Sequence, residues 1–267
     1  MRAQDELVVV DSASRTSDVQ AVAAGAGARV VRSERPGLGR ARNVGWRATD
    51  RDVVLFTDDD CRPSPEWVDA AVRALSVPRV GVVWGRVDAD VQADVELSIL
   101  DDRGPVEGLL DGDLSALGHG ANMGFRREVL VELGGFDPLL GAGSEFPAGE
   151  DKDAFWRAMR AGWRAVFAAD LKVTHVSWRG NAEAVRVMFR YGVGAGAVVA
   201  KRRRIAGERH LATQEMWRHG LLPAARAARH RRWGAAAGAL ARSAGVVEGA
   251  ARARRLPMRD GRLVDPG

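Results

Sequence analysis

Three consecutive carboxylates, Asp58, Asp59 and Asp60, directly follow the apolar run Val53-Val-Leu-Phe56. Acids crowded at the end of a strand repel one another unless a cation sits among them. A hard divalent ion, Mg2+ or Mn2+, meets that need with one or two carboxylates plus phosphate oxygens. Such an ion stabilises charge developing on a departing diphosphate as a Lewis acid. The same residues also suit a plain acidic turn before a helix, where Asp is favoured electrostatically. An EF-hand is excluded, because Arg62 and Pro63 stand where that loop needs a ligand and a free backbone. Glu150 and Asp151 form a second group, at the start of a helical pattern. There the dipole keeps a carboxylate ionised and able to accept the proton of a sugar hydroxyl, although a simple capping acid reads the same way. His175 closes an apolar strand and can complete a metal shell as neutral imidazole, or serve as an ordinary polar residue.

Positioning these residues requires strands that end beneath them. Leu7-Val-Val-Val10 reads as a buried strand ending at Asp11, residues 18–25 as a helix, and 29–31 as a second strand. Residues 40–48 carry Ala41, Val44 and Ala48 on one helical side, and 53–56 form a third strand running into the aspartates. A helix over 66–75, a strand over 80–84, a strand before Phe125 and helices over 127–133 and from 149 to about 160 come next. Short strands are expected over 166–168 and 173–176, and the stretch 88–117 is acidic and weakly patterned, as a mobile or acceptor-facing segment would be. Alternation at this spacing predicts an α/β fold with a mostly parallel sheet flanked by helices. In such sheets ligands bind beyond the carboxyl ends of the strands, where Asp11 and the Asp58–Asp60 run both fall.

Charge divides the chain near Gly180. Residues 181–267 hold 18 Lys and Arg against 6 Asp and Glu, whereas 1–180 hold 22 against 29. Two parts are therefore expected: a catalytic domain over 1–180 and a basic α-helical extension over 181–267. Lys201-Arg-Arg-Arg204, Arg229-His-Arg-Arg232 and Arg252-Ala-Arg-Arg255 lie among Ala, Leu and Trp, with Trp217, Leu221 and Leu222 as an apolar stripe beside Arg218 and Arg226. A basic amphipathic helix of that kind suits an anionic membrane surface, and a solvated extension packed on the catalytic domain is the alternative. Nucleic acid is disfavoured, because no reading motif accompanies the arginines. Gly192-Val-Gly-Ala-Gly-Ala197 matches a dinucleotide fingerprint only superficially, since a helical pattern and not a strand precedes it. The single Cys61 rules out an internal disulfide and fits a reducing compartment. Without a long apolar run the expectation is a cytoplasmic chain, peripheral at the inner face of the membrane.

Taken in order, Asp11, Gly39-x-x-Arg42-Asn43, Phe56-Thr-Asp-Asp-Asp-Cys-Arg-Pro63, Gly120-Ala-Asn-Met-Gly-Phe125, Gly134-Gly-Phe-Asp137, Gly149-Glu-Asp-x-Asp153 and His175 resemble the bacterial family 2 glycosyltransferases of the GT-A fold, including their galactosyltransferase-like C-terminal half. The resemblance covers roughly residues 5–180. It implies a metal-dependent transfer, with inversion, of a sugar from a nucleotide-diphosphate donor to a hydroxyl of a glycan, lipid-linked or small-molecule acceptor. By it Asp11 binds the donor's base or ribose, and Arg42 supports the nucleotide. Asp58 and Asp60 form the DxD pair, with Asp60 the foremost metal ligand and His175 a further one. Asp151 is the catalytic base and Glu150 holds acceptor hydroxyls, while Asn122 and Gly124 shape the floor beneath the donor sugar. The ion is Mn2+ or Mg2+.

Two rival readings stand beside it: a nucleotidyltransferase, whose glycine-rich basic phosphate loop is not seen at the first strand, and an inactive glycan- or membrane-binding module that keeps the fold. The resemblance carries one further expectation. In that family a strand precedes the one matching Leu7–Val10 and lies between it and the strand matching Val53–Phe56. This sequence starts too late to include it, so a gap or a substitute strand is expected there, with unpaired backbone groups costing about 1–3 kcal/mol each where buried.

Overall fold

The structure, a computed structural model, describes residues 5–16, 18–90, 118–176 and 184–265. Strands β1 (Val8–Ser12) and β2 (Arg29–Ser33) pair in parallel, with α1 (Asp18–Gly25) between them in sequence. Helix α2 (Leu38–Arg47) is next, then β3 (Val53–Thr57), β4 (Cys61–Pro63), α3 (Trp67–Ser76) and β5 (Val80–Ala89). Beyond residues 91–117, which lie outside the described residues together with most of the acidic stretch read as acceptor-facing, come β6 (Asn122–Arg126), α4 (Arg127–Glu132), α5 (Glu150–Arg160) and β7 (Arg164–His175).

Strands β3 to β7 make one sheet in the order β3-β6-β5-β7-β4. The α/β class and the flanking helices stand as expected, but the pairing is mixed and not mostly parallel. Within this sheet only β5 and β7 run parallel, while β6 is antiparallel to both β3 and β5, and β4 to β7. The hydrophobic pattern reports which faces are buried and leaves strand direction undetermined, because a strand buried on both faces looks the same in either sense. No ladder joins β1 to β3 among the described residues, so the expected break between them is present. Helix α2 spans it: Val10 of β1 packs under Gly45, and Trp46 joins the core beneath β3.

Two short strands expected over 166–168 and 173–176 are one strand, β7, whose register against β5 slips between Gly85 and Arg86. Ala168 pairs with Gly85 and Lys172 with Arg86, so three extra residues bulge out and bring the Leu171 carbonyl against Gly85. A bulge of this sort bends a strand and re-aims the side chains beyond it, here that of His175. Strand β4 was not expected. It is an edge strand, where a proline such as Pro63 removes no needed ladder bond.

The core is aromatic at its centre. Phe56, Phe125 and Phe136 meet edge to face with ring centroids 5.2–6.2 Å apart, and Phe155 stacks on Phe125 at 5.7 Å. Such pairs add about 0.5–1.5 kcal/mol each beyond burial. Helix α6 (Ala184–Ala206) contributes Val193, Ala197 and Val198 to this same core. After it come α7 (Leu211–Met216), a π-helical turn over Trp217–Leu221, α8 (Leu222–Arg229), α9 (Trp233–Ala253) and the hairpin β8 (Met258–Arg259) and β9 (Arg262–Leu263). Gly192 and Gly196 lie inside α6 against α9, and Gly194 against Ala148: a Cβ on Gly196 would stand 2.2 Å from the Val246 carbonyl, one on Gly192 2.1 Å from that of Arg242, and one on Gly194 2.4 Å from that of Ala148. Their role is close helix packing.

The basic cluster at 201–204 requires a correction. Lys201 is fully buried and Arg202 is 2% exposed. The Lys201 ammonium sits 2.6 Å from both Asp137 and Asp153, and Asp153 also accepts from Arg157 Nε at 2.8 Å. Arg157 donates in turn to the Leu133 and Gly135 carbonyls, and the Leu263 N–H donates to Asp137. A single ionic network therefore ties α6, α5, the Gly134–Asp137 turn and the C-terminal hairpin together. Periodicity treats Lys and Arg as outward-facing; buried partners 48 and more residues away are invisible to it.

Candidate active site

Strand β3 ends at Thr57, and a turn closed by the Cys61 N–H donating to the Asp58 carbonyl (3.1 Å) carries the three aspartates. Asp59 points to solvent, while Asp58 and Asp60 are half-buried. The two inner acids face different partners. Asp58 accepts from Arg42 at 3.2 Å. Asp60 Oδ2 lies 3.4 Å from His175 Nε2, and the Asp60 carbonyl accepts from the Val176 N–H at 2.8 Å. Cys61 stands directly opposite His175 in the β4–β7 ladder, with its Sγ 3.8 Å from Asp60 Oδ1.

One ligand atom each from Asp60, Cys61 and His175 falls within 4.8 Å of the other two. The structure thus brings Asp60 and His175 together and adds Cys61, whereas Asp58 belongs to the Arg42 group. Burial, then the Asp58 and Asp60 charges, push the Cys61 thiol up to about 12. A cation among these groups reverses that push. Cys61 was legible as a residue type beside the aspartates, but its partnership with His175 depends on strand β4.

Arg42 projects from α2, is 5% exposed, and has three acceptors: Glu150 at 2.5 Å, the Gly120 carbonyl at 3.0 Å and Asp58. A Cβ on Gly120 would come within 2.8 Å of both terminal nitrogens of the guanidinium, so residue 120 has no room for a side chain. Burial works against the Arg42 charge, but Glu150, Asp58 and Asp151 outweigh it and raise its affinity for the proton. Glu150 is itself almost wholly enclosed, at 5% exposure. Burial accordingly pushes Glu150 up to about 7, opposed by Arg42 and reinforced by Asp151.

Helix α5 begins after Gly149 in the left-handed conformation, with Glu150, Asp151 and Asp153 in its first turn. Asp151 is half-buried, and its Oδ2 accepts from the Gly120 N–H at 2.8 Å. Gly120 therefore binds Arg42 through its carbonyl and Asp151 through its N–H. The sequence motif around residue 120 is a bracket between Asp151 of α5 and Arg42 of α2.

Asp11 closes β1, accepting from the Ser14 N–H at 2.8 Å and pairing with Arg32. Those hydrogen bonds to Ser14, then the Arg32 charge, hold its carboxyl below the usual range against the pull of burial. Asn122 does not face a ligand surface. Its side chain is fully buried, donates to the Arg86 and Leu171 carbonyls at 2.7 and 2.8 Å, and accepts from Trp67 Nε1 at 2.8 Å. It ties β6 to β5, β7 and α3. Gly124 is likewise internal, packed against Leu55 and Val83. Glu150, at 5% exposure, turns toward Arg42.

The model of Glycosyl transferase family 2 matches residues 1–134. Glycosyltransferase AglE of Haloferax volcanii is 25% identical over 171 residues, 62% of this chain and 52% of that protein. The pre-mycofactocin glycosyltransferase of Mycobacterium tuberculosis is 26% identical over 146 residues, 52% of this chain and 30% of that protein. The chain spans about half of the first relative's length and less of the second's. Among solved structures, the mannosyltransferase PcManGT from Pyrobaculum calidifontis, in complex with GDP-Man and Mn2+, superposes with a TM-score of 0.58 over 93% of this chain and 77% of that one, at 22% identity. GalNAc-T7 with UDP, GalNAc and Mn2+ gives 0.53 over 73% and 41%, at 19% identity. These are likenesses of fold, the GT-A glycosyltransferase fold. Because its family model matches half of the sequence, the chain belongs to glycosyl transferase family 2.

Proposed function

We propose that this chain transfers a sugar from a nucleotide-diphosphate sugar to an acceptor hydroxyl, with inversion, using a divalent cation held by Asp60 and His175. The observation that carries the reading is the 3.4 Å approach of Asp60 Oδ2 to His175 Nε2 at the ends of β3 and β7. An oxygen and a nitrogen at that separation fit two ligands of one small ion. When bound, Mn2+ or Mg2+ supplies Lewis-acid stabilisation of the charge on the departing diphosphate. PcManGT and GalNAc-T7 were solved with Mn2+, which favours that ion.

Asp151 takes the acceptor's hydroxyl proton as the hydroxyl oxygen attacks the anomeric carbon from the face opposite the diphosphate. Its orientation rests on the Gly120 N–H, at the start of α5. Arg42 and Glu150 act as positioning residues, since both are buried against each other. Asp11, at the end of β1, suits the donor's base or ribose. On this reading 1–180 carry the chemistry and the helices of 181–267 buttress them through α6. Family membership favours glycosyl over nucleotidyl transfer and over an inactive module. The acceptor is a glycan, a lipid-linked chain or a small molecule.

The test is release of nucleotide diphosphate from a panel of UDP- and GDP-sugars with Mn2+, in the natural chain and in Asp151→Asn. Turnover in the former and a loss of about 10²–10⁴-fold in the latter, at similar donor affinity, are expected. Equal turnover in both removes Asp151 as the base.

The surface after residue 216 supports a second element. Trp217 and Trp233 are 55% and 67% exposed, beside exposed Leu221, Leu222, Arg218, Arg226, Arg229, Arg231 and Arg232. Exposed indoles among arginines suit an anionic membrane surface, consistent with a peripheral location at the inner face and a lipid-linked acceptor. No helix among the described residues is long and apolar enough to cross a membrane.

A further inference from the structure

Cys61 stands beside Asp60 and His175 with a sulfur that hard-metal chemistry does not call for. In the β4–β7 ladder Cys61 and His175 are direct antiparallel partners, so their side chains leave the same face of the sheet. Asp60 precedes Cys61, and its carbonyl is bound by the Val176 N–H just after His175. The backbone thus clamps all three residues from both sides. The separations are 3.4 Å between Asp60 Oδ2 and His175 Nε2 and 3.8 Å between Cys61 Sγ and Asp60 Oδ1. A tetrahedral zinc with bonds of about 2.3 Å to sulfur and about 2.0–2.2 Å to nitrogen and oxygen holds its ligand atoms about 3.3–3.7 Å apart. One ligand atom from each of the three side chains lies within 4.8 Å of the other two, so modest side-chain rotation brings the set to that spacing.

From this geometry we infer that Asp60, Cys61 and His175 form a site for a borderline-soft divalent cation, Zn2+, which competes there with the hard ion of transfer. Sulfur and imidazole donors raise affinity for zinc far more than for Mn2+ or Mg2+. Cys61 coordinates as thiolate, its proton passing to solvent, and three protein ligands leave one position open for water or a diphosphate oxygen. The site would therefore bind zinc in place of manganese and make the chain's metal content depend on which ion is supplied. The inference rests on Asp60 and His175 as ligands of the transfer metal only for this competition. The zinc site itself stands on the three side chains.

Cobalt(II) titration of the reduced full chain tests it without reference to turnover. The expected result is one Co2+ per chain, with sulfur-to-cobalt charge-transfer absorption and the intense visible bands of four-coordination. Zn2+ should displace both, and Cys61→Ser should abolish the charge-transfer band. Loss of a mere outer-shell partner costs metal sites about 10–100-fold in affinity, so Cys61→Ser is expected to weaken Zn2+ at least that much while moving Mn2+ far less. Cobalt bound without a sulfur band, or a band unchanged in Cys61→Ser, overturns the proposal. Mn2+-dependent nucleotide binding without a sulfur band defeats the zinc site alone. A sulfur band in a protein that turns over no nucleotide sugar defeats the transfer reading alone.

Discussion

Arg42 and Glu150 lie 2.5 Å apart across 108 residues of chain, with both side chains nearly buried. This pair joins α2 to the first turn of α5 and, through Asp58 and Gly120, fixes the turn after β3 relative to Asp151. Because Glu150 is held at about 7 against an ordinary 4.5, the folded protein keeps a proton there that the unfolded chain has lost. Stability must then fall as pH rises between 4.5 and about 7. Glu150→Gln mimics the protonated form, so it should flatten that part of the profile of Tm against pH. Parallel profiles for the two proteins would show that Glu150 is ionised throughout.

Lys201→Met should be among the most damaging changes outside the site. It leaves Asp137 and Asp153 buried with one cation fewer, and breaking a buried pair by removing one partner costs about 3–5 kcal/mol. Urea unfolding gives the value directly. A loss below about 1 kcal/mol, the scale of a surface pair, would mean that the network contributes little.

How far the sequence speaks for the structure depends on the range of the interaction. Elements set by local pattern were legible: α2, β3, α3, α4 and α5 stand within about two residues of the positions that periodicity and capping give them. The acids that meet in the site were legible too, because a carboxylate run after a buried strand is a local signal. What was not legible depends on register. Cys61 meets His175 only because β4 pairs with β7, and three residues of an edge strand containing proline carry no period to detect. Asn122 illustrates the converse. Its motif marks it as important, yet its amide serves the Arg86 and Leu171 carbonyls and the indole of Trp67, a tie no one-dimensional pattern encodes. Lys201 misleads for the same reason, since its two partners come from distant turns.

Membrane association should depend on the exposed indoles. Trp217→Ala with Trp233→Ala removes two large exposed rings of the basic extension, neither of which belongs to the core. Cosedimentation with vesicles containing phosphatidylserine should drop several-fold, and should weaken for the natural chain as salt screens the arginines. Equal cosedimentation of both proteins, or none for the natural chain at low salt, contradicts a membrane-facing tail.

The central claim is that Asp60 holds the ion through which a nucleotide diphosphate binds. Calorimetric titration with UDP and GDP, with and without Mn2+, on the natural chain and on Asp60→Ala, tests it most directly. Binding of at least one nucleotide that requires Mn2+ is expected, weakened by about tenfold or more in Asp60→Ala with the fold intact by circular dichroism. Affinity that is the same without Mn2+, or unchanged by Asp60→Ala, would contradict it.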